Sequence, residues 1–188
     1  MKKLLSALLL FSMHSLANAQ ATRNPKYDME FNSGIQKVIQ AYRSNFSTIQ
    51  GNVLDNEGSM SSYASKVCLT GAIHCVIKKY GSVKDLSTSW SALIFEGEEF
   101  EEAANAYRRT CTNIKKSSFD IGSGQTLGFS GQVSAPNENL RFTGTNFKSE
   151  TRNTTFKNLV AGVELVSNYT GWEVRLNLFS GNTTESDD

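Results

Sequence analysis

Residues 90–116, WSALIFEGEEFEEAANAYRRTCTNIKK, constrain the fold most, because they hold a strand period and a helix period separated by one glycine. Before the glycine, Trp90, Ala92 and Ile94 fall on one face of an extended segment, with Ser91, Leu93 and Phe95 on the other. After it, Phe100, Ala103, Ala104, Tyr107, Cys111 and Ile114 form a single apolar stripe at helical spacing. Glu98, Glu99, Glu101 and Glu102 crowd the first turns, and Arg108, Arg109, Lys115 and Lys116 lie toward the end, an order that suits the helix dipole. Gly97 can cap the first turn. A strand and a helix that each carry an apolar face must bury those faces against another layer.

Earlier in the chain, Phe31, Ile35, Val38, Ile39, Tyr42, Phe46 and Ile49 give another helical stripe, with Asn32 or Ser33 as N-cap and Gly51 as a stop. Residues 51–62 read as a polar loop and residues 117–125 as a glycine- and serine-rich one. Alternating segments occur around residues 63–69, 73–78, 127–134, 139–147, 159–165 and 172–178. The expected fold class is therefore α+β, with two amphipathic helices, near residues 32–50 and 98–116, packed on one face of an antiparallel sheet. WSALIFEG at 90–97 echoes WEVRLNLFSG at 172–181. The echo is open to two readings, a duplicated helix–meander unit or chance similarity between two amphipathic hairpins.

The first residues, MKKLLSALLLFSMHSLANAQ, combine Lys2 and Lys3, a short apolar run and the small-x-small triplet Ala17-Asn18-Ala19. That is the layout of a secretory signal peptide. The expected organisation is a signal peptide at 1–19, a flexible lead at 20–30, one α+β domain at 31–180 and a polar acidic tail at 181–188. The expected address is periplasmic or extracellular. Removing 1–19 takes two of the 19 basic residues, leaving 17 against 18 acidic ones and a formal charge near −1. A near-balanced charge argues against a nucleic-acid binder, which should show a basic excess or stripe, and no second apolar run reaches the ~20 residues of a membrane span.

Candidate chemistry is scarce. Cleavage would leave His74 as the single histidine, with Cys68, Cys75 and Cys111. Cys68 and Cys75 could close a bridge across a turn at Gly71-Ala72, although two buried free thiols is the simpler expectation. His74 and Cys75 are adjacent, so on a strand they point to opposite faces and make a poor pair. The glutamates near residue 98 read as a solvated helix start, and no zinc spacing, calcium loop, phosphate loop, nucleophile elbow or HExxH sequence occurs. No catalytic residue, metal ligand or cofactor site is expected.

The segment 63–116, with YASKVCLTGAIHCVIKKY followed by SWSALIFEGEEFEEAANAYRRTCTNIKK, resembles small exported bacterial proteins of unassigned function. The helix–meander–helix–sheet order is similar to folds used by small secretion chaperones and other binding modules. The resemblance carries over no catalytic residue. The expected function is that of an exported, non-enzymatic binding module whose partner is a protein, a peptide or a cell-envelope component. The alternative is a cysteine-dependent hydrolase or redox protein. Because helices cover one face of a sheet, Leu93, Phe95 and Phe179 are the candidate binding surface.

Overall fold

The structure, a computed structural model, describes residues 25–82 and 85–181. Helix α1 (Pro25–Tyr42) and a short 3-10 turn (Ser47–Ile49) lead into β1 (Gln50–Glu57), β2 (Met60–Ser65), β3 (His74–Ser82) and β4 (Asp85–Gly97). Helix α2 (Phe100–Lys116) then precedes β5 (Phe119–Gly122), β6 (Gln125–Ser130), β7 (Phe142–Glu150), β8 (Leu159–Asn168) and β9 (Gly171–Ser180). The strands form one nine-stranded sheet in the order β1-β2-β3-β4-β9-β8-β7-β6-β5. Every neighbouring pair is antiparallel. Each half of the chain thus runs from an edge of the sheet toward its middle, and the halves meet along β4 and β9.

This architecture corrects the expected α+β fold class, in which two helices packed on one face of a sheet define the domain. Among the described residues 48% are strand and 24% helical, so the fold is dominated by its sheet. Two stretches read as loops are strands. Residues 51–62 hold most of β1 and the start of β2, which turn at Gly58, and residues 117–125 hold β5, which turns into β6 at Ser123 and Gly124. The physical reasons for this differ, since β1 has no buried apolar row, whereas β5 buries Phe119 and Ile121 in alternation but over four residues only. β1 is an edge strand exposed along most of its length, and β5 is a four-residue edge strand. Neither needs the long alternating pattern that marks a half-buried strand.

The first helix also differs from its expected span. It starts at Pro25, a residue preorganised for a first helical position, so residues 25–30 are helical and not a flexible lead. The expected signal peptide at 1–19, residues 20–24 and the tail from 182 lie outside the described residues. α1 ends at Tyr42, short of Ile49, because the chain turns left-handed at Asn45 (φ 48°) and Phe46 (φ 60°). The Phe46 N–H donates to Ala41 O at 2.9 Å and the Asn45 N–H to Tyr42 O at 3.0 Å. That is the hydrogen-bond pair of a Schellman C-cap, with asparagine in the place glycine usually takes. Phe46 and Ile49 are buried nonetheless, so the apolar stripe continues into the core after the helix has stopped.

One core collects the inner sides of both helices and the inward residues of the strands. Register defines its sheet face. Ile77, Trp90 and Leu178 stand opposite one another across β3, β4 and β9, as do Cys75, Ala92, Leu176 and Val163 one pleat further on. Trp90 is fully buried and its indole N–H donates to Ser65 Oγ at 3.0 Å. The other tryptophan of the echo is placed differently, since Trp172 is half-buried with its ring edge-on to Phe100 at 5.0 Å.

Polar contacts pin the helices at specific points. The Gln36 side-chain amide pairs with both backbone groups of Asp120, accepting from its N–H at 2.8 Å and donating to its carbonyl. It thereby acts as a further strand neighbour for β5. Tyr107 Oη lies 2.6 Å from Thr145 Oγ1, which also accepts from the Ser134 N–H at 2.9 Å. Cys68 and Cys75 are joined in a disulfide, not left as two free thiols. The turn at Thr70-Gly71 carries Cys68 back beside the start of β3, with Gly71 at φ 82°.

Candidate binding groove on the open sheet face

The register that buries Trp90 and Leu178 sends the alternate side chains to the opposite face, away from the core. Three rows cross its middle. Lys78, Ser89 and Phe179 form one row; Val76, Ser91, Asn177 and Gly162 form the next; His74, Leu93, Arg175 and Glu164 form the third. Short side chains therefore occupy the centre, and longer ones stand around them. The result is a groove of ≈ 320 Å³. Ser87, Ser89, Ser91 and Asn177 make its floor, with Lys78, Tyr80, Phe179, Arg175 and Glu164 as its walls.

Gly162 helps create this shape. A Cβ there would meet the Phe179 ring at 3.2 Å and Asn146 Oδ1 at 3.0 Å, so the ring lies down over the glycine. Cross-strand diagonal neighbours are within reach of an aromatic side chain, and here the missing side chain admits one.

The groove's charges are close to balanced. Arg175 forms an ion pair with Glu173 and stands opposite Glu164 across the β8–β9 register. Glu173 is held in turn by Asn168 Nδ2 at 2.6 Å. Lys78 adds one cation and Glu164 one carboxylate. The floor is different in kind: among the described residues, the side chains of Ser87, Ser89, Ser91 and Asn177 make no hydrogen bond to protein. Ser91 is only 8% exposed. Its hydroxyl is not among the buried side-chain atoms left without a partner, which among the described residues are those of Thr88 and Thr143, so Ser91 meets water through the groove, as the exposed Ser87 and the half-buried Ser89 and Asn177 do.

The three residues expected to form a binding surface are not brought together. Phe179 lines the groove. Leu93 belongs to the same face, in the row of Arg175, and is 7% exposed. Phe95 is on the other face. A bulge between Leu93 and Phe95 shifts the register so that Phe95 stands opposite Val174, a core residue, and packs against the core. An extra residue in one strand reverses the facing of all that follows it. The serines at alternate positions 87, 89 and 91 are the sequence trace of the groove floor. Their partners Asn177, Arg175 and Glu164 come from strands about 80 residues further along the chain, which no local pattern connects.

Candidate nucleophiles are spent or suppressed. Cys68 and Cys75 are bonded to each other. Cys111 is buried, and burial pushes its thiol up to about 11, beside a Tyr107 phenol pushed by burial to about 12. His74 is exposed on the open face, opposite Leu93, while Cys75 beside it is buried in the core. Among the described residues no three His, Cys, Asp or Glu side chains gather as they would around a metal ion, and no helix is long and apolar enough to cross a membrane.

No family model matches the chain, and no curated protein or solved structure matches it significantly.

Proposed function

We propose that this chain is an exported binding module that receives a cell-envelope component in the groove at the centre of its open sheet face, without performing chemistry on it. One observation carries the reading. Four polar side chains converge on the groove floor without a protein partner, and one of them, Ser91, is 8% exposed. Small-molecule sites combine a concave shape with a few convergent polar groups. The Cys68–Cys75 bridge supports an oxidising address, since structural disulfides persist there and are rare in the cytosol. The state of Cys111 supports binding over cysteine chemistry, because a buried thiol held near 11 supplies almost no thiolate at neutral pH.

Co-sedimentation with cell-envelope fractions of the source cells tests this. The folded protein is expected to pellet with the fraction, Ser89→Trp to lose most of that retention by filling the groove, and His74→Ala and Cys111→Ser to keep it. Retention unchanged in a folded Ser89→Trp variant, or lost in folded His74→Ala, refutes the proposal.

A further inference from the structure

We infer that the groove binds one or two neutral pyranose rings of a glycan. The inference rests on the open-face binding reading and adds the chemical class of the ligand. A sugar ring presents hydroxyls around its rim and a patch of C–H bonds on its flatter face. The groove offers a counterpart to each. Hydroxyls of Ser87, Ser89 and Ser91 and the amide of Asn177 can both donate and accept, as sugar hydroxyls require. Tyr80, which is 40% exposed, and Phe179, lying over Gly162, bring two aromatic rings to the same groove. The electron-rich face of an aromatic ring favours contact with polarised C–H bonds.

Other ligand classes fit less well. An apolar chain would leave the Ser91 hydroxyl and Asn177 amide without partners in a desolvated site. An anion would meet Glu164, and Arg175 is already committed to Glu173. A cation would meet Lys78. The volume of ≈ 320 Å³ is at the low end of the ~300–1,000 Å³ of small-molecule sites, which suits a short saccharide segment and not a large cofactor.

The test is an NMR titration of the ¹⁵N-labelled protein with maltose, cellobiose, lactose and N,N′-diacetylchitobiose. These present glucose, galactose and N-acetylglucosamine rings in α and β linkage. Probe concentrations up to ~20 mM detect a Kd of about 1 mM or tighter. At least one probe is expected to shift the Ser89, Ser91 and Asn177 amides saturably. Tyr80→Ala, whose exposed ring can be removed without opening the core, should weaken that binding about tenfold, a loss on the scale of one aromatic contact with its buried area. Tyr169→Ala, an exposed ring at the β8–β9 turn, should leave it unchanged. Silence of all three amides toward every probe, or full affinity in Tyr80→Ala, overturns the glycan assignment. If Ser89→Trp still abolishes envelope co-sedimentation in that case, only the ligand class fails. If co-sedimentation survives Ser89→Trp, the groove itself fails as the binding site.

Discussion

Gly171→Ala probes the seam where the two halves of the sheet join. Gly171 opens β9 at φ +134°, and a Cβ there would lie 2.3 Å from Gly97 O and 2.9 Å from Glu98 Cα. Both obstacles are backbone, at the end of β4 and the approach to α2, so no side-chain rotation relieves them. A non-glycine residue at such a φ costs about 1–3 kcal/mol. Forcing packed backbone apart costs typically another ~1–3 kcal/mol. The expected destabilisation is about 2–6 kcal/mol, a large part of the ~5–15 kcal/mol that holds a domain folded. At roughly 2–4 °C per kcal/mol for a chain of this size, Tm should fall by about 4–24 °C. Gly124→Ala is the control: its φ is +70° and nothing lies within 4 Å of its would-be Cβ. It carries the backbone strain without the clash and should cost about 1 kcal/mol. Thermal unfolding followed by circular dichroism reads both variants. If Gly171→Ala loses no more than Gly124→Ala, the close approach of β9 to Gly97 is wrong.

Two further outcomes follow from the core and the bridge. Below about pH 9, Cys111 and Tyr107 are protonated in both the folded and unfolded chain. As pH rises past their ordinary values of 9.0 and 10.0, the unfolded chain releases protons that the folded chain keeps until about 11 and 12. Stability should therefore fall between about pH 9 and 12, by about 2–3 kcal/mol for either group alone. The Cys111→Ala variant should begin its fall about one pH unit later, and urea midpoints that stay flat from pH 8 to 11 would refute this. For the disulfide, the seven-residue separation of Cys68 and Cys75 sets a short loop, whose release should cost about 2–3 kcal/mol. Cys68→Ser/Cys75→Ser should lower the urea midpoint accordingly, and a midpoint equal to that of the parent chain would show that the bridge contributes nothing to stability.

What the chain's own order determines is local periodicity. The stripe from Phe100 to Ile114 is α2, and the alternation of Leu159, Ala161, Val163 and Leu165 with Val174, Leu176 and Leu178 is the β8–β9 hairpin. Such patterns are legible because each residue's facing depends only on its distance from its neighbours along one element. The balance of the fold was not legible. β1 lies at a sheet edge and buries little, and β5 buries Phe119 and Ile121 over a run of only four residues, too short to stand out, while two strong helical stripes overstate the helices. The Asn45–Phe46 cap is equally hidden, because Phe46 and Ile49 stay on the apolar stripe although the helix has ended. Tertiary structure alone decided three things. It placed β4 beside β9, paired Ser89 with Phe179 and Ser91 with Asn177, and turned Phe95 into the core through one bulge. Each depends on contacts between strands distant in sequence, where a shift of one residue exchanges the two faces of the sheet. The groove exists because those distant pairings put short polar side chains at the sheet's centre and long ones around them.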